Sequence, residues 1–412
     1  MSLIPHYLVN AYQNQCLSGS FEAIGLFLDL SGFTQLTEAL MQHQKQGAEA
    51  LTHGLNNTLT PIIEQIYAAN GFVASFAGDA ITALFPLEQP NSAPLALHAT
   101  TDIQARFAKP QHYTTPWGSF KLTARGGLGI GEVQWGILQT ANQTHATYYF
   151  RSQAIETATR AEQLAHRGQI VLDKAILPHL QSAPPLKPLS GASGYALLSG
   201  TPSEPIQVLQ PTPITNKLLS RFLPASVLEF ANSNIGGEFR LVLPVFISFQ
   251  ATEDNLPVFV DHLLQCAAEY DGYFNKLDFG DKGSIALVLF GAPIAHEDDA
   301  QRAAEFLLDL RQRCNPAEIP WRAGLARGMA YAGLIGCPLR SEYSAIGDTV
   351  NLSARLMQHA NWGEILLDSQ AAQSLAISHT LIPSGTHTIK GKRTPQATYA
   401  LRVRHNQPII PP

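Results

Sequence analysis

Apolar residues in this chain fall into short runs joined by Gly and Pro. Ile24 to Asp29 reads as an apolar strand ending in a carboxylate, and Ser31, Gly32, Phe33 and Thr34 open a helix directly after it. Further on, the residues after Gly131 alternate as a strand does, and Asn216 to Asn232 places apolar residues at helical spacing. Taken along the chain, the pattern predicts strand, long helix, β-hairpin, helix, hairpin, short strand, helix and strand, twice over. That order is α+β, with helices packed on a mainly antiparallel sheet.

The pattern repeats because the sequence does. RGGLGIGEVQWG from Arg125 returns as RAGLARGMAYAG from Arg322. RSQAIETATRAEQLAHRGQIVLD from Arg151 is matched by IGDTVNLSARLMQHANWGEILLD from Ile346, and GFVASFAGDAITALF from Gly71 by GYFNKLDFGDKGSIALVLF from Gly272. An offset of roughly 200 residues is far beyond the roughly 20–50-residue period of a solenoid, so it marks a duplicated domain. Pro202, Pro205, Pro211 and Pro213 punctuate the join. The expected division is a first domain at 1–200, a linker with a helix at 201–235, a second domain at 236–405 and a tail at 406–412.

Length and composition agree with two globular domains: 412 residues, 45% hydrophobic and 14% charged. A net charge of −5 gives no electrostatic case for binding nucleic acid. Cys16, Cys266, Cys314 and Cys337 form no CxxC pair and no dense framework, which fits a reduced, cytoplasmic protein. The most apolar stretch, Leu241 to Phe249, is about half the length a bilayer demands, and Met1 to Gln13 lacks the layout of a signal peptide, so no membrane association is expected.

Three tempting motifs carry no chemistry. His296 to Asp299 (HEDD) supplies acids to a helix N-terminus, where the macrodipole favours them. Gly127, Gly129 and Gly131 mimic a dinucleotide-binding fingerprint at the wrong spacing, and a tight hairpin is expected there instead. The fourteen histidines include no HExxH and no partner for a Ser or Cys nucleophile in a motif.

The reactive candidates divide unequally between the copies. Asp29 and Asp79 each end an apolar segment in the first copy. Two carboxylates at adjacent strand ends, beside a helix N-terminus whose N–H groups favour phosphate (Gly32, Phe33, Thr34), make a site for a triphosphate and Mg²⁺ or Mn²⁺. The second copy has Ser248 in place of Asp29, although Asp281 roughly matches Asp79. It carries instead Asn351 and Arg355 on one helical face, where the first copy has Glu156 and Arg160. Attack of a ribose hydroxyl on an α-phosphate builds negative charge that a planar Arg stabilises, while Asn orients the ribose.

FLDLSGFT, FAGDA, RGGLGIG, EYSAIGDTVNLSARL and the closing IKGKRTPQATY resemble the class III adenylate and guanylate cyclases. The likeness spans residues 20 to 403, and the unequal tandem arrangement is most similar to the soluble adenylyl cyclase subgroup. It implies two ferredoxin-like cyclase domains packed as a pseudo-symmetric intramolecular heterodimer, active as a monomer. It further implies two metal ions on Asp29 and Asp79 with help from the Leu30 carbonyl, Arg125 on the phosphates, Asn351 on the ribose and Arg355 at the transition state. Lys276 and Ser344 match the base-selecting positions, where guanylate cyclases commonly have Glu and Cys; the resemblance therefore implies ATP as substrate and cyclic AMP as product. The subgroup also binds bicarbonate in its degenerate second site through a Lys, which here is Ser75, with Arg160 nearby as a holder for that or another small anion. The alternatives are a catalytically silent nucleotide- or anion-sensing module, or a guanylate cyclase.

Overall fold

The structure, a computed structural model, describes residues 2–88, 91–109, 111–180, 184–199, 216–233, 235–280, 283–315, 318–389 and 394–404. The linker prolines Pro202, Pro205, Pro211 and Pro213, Asp281 and the tail 406–412 lie outside the described residues.

The first half runs α1 (His6–Gln13), β1 (Ser18–Ser31), α2 (Phe33–Met41), α3 (Gln44–Ala68), β2 (Phe72–Ala77), β3 (Ala80–Pro86) and α4 (Ser92–Phe107). It continues through β4 (Gln111–Thr115), β5 (Gly118–Gln139), β6 (Ala146–Ser152), α5 (Gln153–Gln163), β7 (Ile170–Asp173), a 3-10 turn (Lys174–His179), β8 (Leu186–Pro188) and β9 (Tyr195–Leu198). The second half begins with α6 (Asn216–Phe222) and α7 (Ala225–Asn232), then β10 (Gly237–Phe249), α8 (Leu256–Glu269), β11 (Tyr273–Gly280), β12 (Gly283–Phe290) and α9 (Asp299–Arg313). β13 (Trp321–Leu325), β14 (Gly328–Cys337), β15 (Arg340–Ile346), α10 (Asp348–His359), β16 (Ile365–Asp368), α11 (Ser369–Leu375), β17 (His379–His387) and β18 (Gln396–Arg404) complete it.

Each half builds a mixed α/β unit on the same plan. β1 lies between β3 and β5, antiparallel to both, and β10 lies likewise between β12 and β13. β7 then joins β5 in parallel, as β16 joins β13. The alternation read from the sequence puts Leu26, Leu28 and Leu30 of β1 into one core with Leu51, Leu55, Ile62 and Ile66 of α3, and Val245 and Ile247 of β10 into another with Phe259 and Leu263 of α8. Among the described residues no helix is long and apolar enough to cross a membrane.

Two expectations change. The helix expected over Asn216 to Asn232 is two helices, because Pro224 has no N–H to continue the first and instead caps the second. The glycines of RGGLGIG do not turn the chain: Gly127, Gly129 and Gly131 all lie inside the single 22-residue strand β5. A Cβ on Gly127 would stand 2.0 Å from the Ala158 carbonyl oxygen, and one on Gly129 would stand 2.4 Å from the Ala158 nitrogen. Those glycines are there so that α5 can cross the strand at backbone contact.

The halves touch along a seam. Phe279 of β11 pairs in parallel with Arg151 of β6, Thr52 of α3 hydrogen-bonds the Tyr331 hydroxyl at 2.7 Å, and Arg340 of β15 reaches three segments of the first half.

Candidate active site

β1 places Asp29 opposite Ala80 of β3 on one side and Arg125 of β5 on the other. Asp79 precedes Ala80 in the turn of the β2–β3 hairpin, so this register sets the two carboxylates together. The effect on Asp79 is direct: burial first, then the negative charge of Asp29, pushes its carboxyl up to about 6. Arg125 answers part of that charge, with Nε 3.2 Å from Asp29 Oδ2 and 2.6 Å from Glu162 Oε1. Glu162 is held by α5 with its side chain only 5% exposed, and burial raises its pKa against the opposing pull of Arg125.

After β1 the chain turns into α2 through Gly32, whose φ of 110° lies in the left-handed region. A Cβ there would also stand 2.4 Å from the Lys121 carbonyl oxygen. Phe33 anchors the helix in the core and Thr34 is exposed, and no side chain caps the first-turn N–H groups. A phosphate is the natural partner for such a terminus beside a cation.

Asp29, Asp79 and the adjoining Leu30 carbonyl are an all-oxygen donor set, which fits a hard divalent cation whose remaining ligands are phosphate and water oxygens. Among the described residues no group of three or more His, Cys, Asp or Glu side chains could hold a metal by itself. The fit therefore depends on a ligand that brings its own oxygens.

From the second half, Lys276 of β11 crosses the seam, donating from Nζ to the Phe76 carbonyl of β2 and standing 3.6 Å from Glu342 Oε1. Ser344 of β15 is buried, its Oγ 3.4 Å from Asn275 Oδ1, while Asn275 Nδ2 donates to the Tyr343 carbonyl at 2.7 Å. Lys276 and Ser344 thus border one region. Asn351 and Arg355 sit one turn apart on α10, the former exposed and the latter half-buried. That helix is pinned by Ser353 Oγ, which donates to the carbonyls of Pro244 and Gly324 at 2.7 and 2.8 Å.

The second-pocket candidates lie on and beside one cavity, whose α5 wall is Ile155 and Thr159, the latter next to Arg160 in sequence. Ser75 lines a cavity of about 130 Å³ with Phe27, Tyr149, Ile155, Asp278 and Phe279 among its walls. Arg160 is not among those walls; it lies on the outer face of α5, 3.9 Å from Glu156. Sequence reasoning also missed Glu162 and Glu342. Glu162 had a signal, since the repeat offset that aligns Arg160 with Arg355 aligns this acid with Met357, and an acid replacing a core residue in one copy needs a partner.

The family profile described as Adenylate and Guanylate cyclase catalytic domain matches residues 280–403. Human adenylate cyclase type 10 is 25% identical over 390 residues, covering 82% of this chain and 24% of that protein. The chain therefore spans about a quarter of the length of that curated relative. An uncharacterized Mycobacterium tuberculosis protein is 34% identical over 167 residues, covering 36% of this chain and 30% of its own. Among solved structures, the adenylyl cyclase CyaB from P. aeruginosa superposes with a TM-score of 0.38 and 21% identity, covering 41% of this chain and 97% of that one.

Proposed function

We propose, from the match of residues 280–403 to the adenylate and guanylate cyclase catalytic domain family, that the chain converts ATP to 3′,5′-cyclic AMP and pyrophosphate. The site would lie between two cyclase domains of one chain, at 1–200 and 236–405 with 201–235 as linker, paired as a pseudo-symmetric heterodimer in a cytoplasmic monomer. The observation that carries the reading is the reach of Lys276 from β11 to the Phe76 carbonyl, three residues before Asp79. It supports a base pocket on one half opening next to the carboxylate pair of the other.

In this reading Asp29, Asp79 and the Leu30 carbonyl hold two Mg²⁺ or Mn²⁺ ions, which when bound neutralise the phosphates and activate the ribose 3′-hydroxyl. The chain's own side chains do the rest. The N–H groups at Gly32, Phe33 and Thr34 and the Arg125 guanidinium hold the β- and γ-phosphates. Lys276 donates to N1 of adenine, and the Ser344 hydroxyl oxygen accepts from its amino group. Asn351 orients the ribose, and Arg355 stabilises charge on the α-phosphate as the 3′-oxygen attacks and pyrophosphate leaves.

The reading is tested by incubating the purified protein with Mn²⁺ and either ATP or GTP and quantifying cyclic nucleotide. Cyclic AMP is expected to exceed cyclic GMP, and Asp79→Asn and Arg355→Ala are each expected to lower kcat by about 10²–10³-fold. Undiminished product from either variant would overturn the site. Cyclic GMP in excess would favour the guanylate reading, and no product from either nucleotide a silent sensor.

A further inference from the structure

We propose that Arg322 is a positioning residue for Arg355: it holds the C-terminal end of α10 and so fixes the helix that presents Asn351 and Arg355. The inference rests on the reading above that those two side chains act on the ribose and the α-phosphate.

Arg322 is the repeat counterpart of Arg125, and the two share a backbone setting. Arg125 lies opposite Asp29 of β1, and Arg322 lies opposite Ser248 of β10. The loop after the neighbouring helix docks alike in both halves: the Gly168 N–H donates to the Ala124 carbonyl at 2.6 Å, and the Gly363 N–H to the Trp321 carbonyl at 2.7 Å. With the backbone alike, the side chains around each guanidinium decide what it does.

Three exchanges separate the two settings. Ser248 stands for Asp29, Met357 for Glu162 and Trp362 for Arg167, the last two by the offset that aligns Arg160 with Arg355. Arg125 reaches both of its carboxylates through Nε. On Arg322 the same atom is buried and has no hydrogen-bond partner among the described residues. The guanidinium turns instead to the end of α10, where Nη1 donates to the Gln358 carbonyl at 3.2 Å and to the Ala360 carbonyl at 2.8 Å. Its carbon stands 4.7 Å from the centre of the Trp362 ring, a face that attracts a cation where an arginine would repel it. Those carbonyls belong to the last turn and its cap, which no N–H of the helix satisfies, and a fixed cation suits the negative end of the macrodipole.

This hold falls next to Arg355. Gln358 follows Arg355 by three positions and Asn351 precedes it by four, so all three lie along one stripe of α10. Ser353 ties the middle of the helix to the Pro244 and Gly324 carbonyls, and Arg322 ties its end. Arg355 stands between the two anchors. In a regular helix its carbonyl accepts from the N–H of His359, so fraying of the last turn would free its backbone. The repeat arginine thus faces the carboxylates in the first half and serves the opposing helix in the second.

The experiment measures kcat and KM for ATP with Mn²⁺, Kd for 3′-deoxy-ATP, which lacks the attacking hydroxyl, and hydrogen exchange at residues 358–360. Arg322→Ala is expected to lower kcat about 10- to 100-fold, leave Kd within about twofold and speed exchange about tenfold. Arg322→Lys, which keeps a cation for the carbonyls, is expected to recover kcat to within about threefold of wild type, and Trp362→Leu to lower it about threefold with faster exchange. In an Arg355→Ala background Arg322→Ala is expected to lower the residual rate by less than about twofold, whereas a residue that only holds the fold would add its full loss. A weakened Kd with kcat unchanged would show Arg322 contacting the nucleotide itself and overturn the proposal. Unchanged exchange, or additive losses in the double variant, would overturn it equally. If the wild type makes no cyclic nucleotide the cyclase reading falls; faster exchange in Arg322→Ala would then leave its hold on α10 standing, and unchanged exchange would end both. Variants are compared when they melt within a few degrees of wild type, and Trp362→Leu decides the matter if Arg322→Ala does not fold.

Discussion

Arg125 shows how much of the site depends on single side chains whose neighbours are set by register. Its guanidinium is shared between Asp29, a metal-ligand candidate, and Glu162, which stands behind it. Were a cation to neutralise Asp29, Glu162 would still hold Arg125 at 2.6 Å. The second pocket lacks any such provision: among its described walls Asp278 is the charged side chain, and no Lys or Arg accompanies Ser75. An anion entering it would face that carboxylate, and the Arg151 guanidinium beside the Phe279 wall is already engaged by that ring at 4.8 Å and by Glu253 at 3.9 Å. Bicarbonate added at fixed pH is therefore expected to leave the cyclase rate unchanged, and a reproducible rise in rate would show that the pocket takes an anion after all. Asp29, Asp79, Lys276 and Arg355 could be singled out as candidates because each sits in a motif or breaks the symmetry of the repeat. Glu342 was not, because its importance lies in contacts with Arg340 and Lys276 that no local pattern encodes.

Among the elements, β5 and α5 are the pair the sequence misrepresented. A run of glycines at alternate positions reads locally as a turn, since glycine is the commonest residue where the chain reverses. The structure uses their missing side chains instead of their free backbone, to let α5 lie against β5 and β1. Gly25 of β1 belongs to the same surface, for a Cβ there would meet Ala154 at 2.8 Å. Because α5 carries both Glu162 and the Ser75-pocket wall, its height above the sheet sets Arg125. Gly127→Ala is thus expected to cost about 1–3 kcal/mol by overpacking and to lower cyclase activity more than stability alone explains, as read by thermal melting alongside kcat. An unshifted melting temperature would contradict the contact. The second half tests the logic from within: Gly324 under α10 keeps the same close approach, with a Cβ 2.3 Å from Met357 N. The element order and both cores were otherwise legible, as alternation and periodicity report burial directly.

At the scale of the whole molecule the seam decides how many chains make a site. β6 meets β11, α3 meets β14 through Thr52 and Tyr331, and Lys276 and Arg340 cross between the halves, all within one chain. Covalent tethering gives such partners an effective concentration on the order of millimolar, far above that of a second molecule in dilute solution. Mixing Asp79→Asn with Arg355→Ala protein is accordingly expected to yield no more cyclic AMP than either variant alone, and wild-type specific activity should be constant on dilution. Rescue in the mixture would establish pairing between chains. The seam itself was beyond sequence reading, since a repeat reveals two similar units but not which strand edges they bring together.

Arg340 also imposes an order in time. Its Leu3 partner lies 337 positions earlier in the chain and its Tyr148 partner 192 positions earlier. During synthesis the first half therefore waits, with a carbonyl and a hydroxyl prepared for a guanidinium that does not yet exist, until β15 emerges. Closure of that contact is a late, long-range event of the kind that slows folding. Until it occurs Glu342, and with it the Lys276 ammonium 3.6 Å away, has no fixed address, so the half-made chain carries one face of the seam without the charges that complete it.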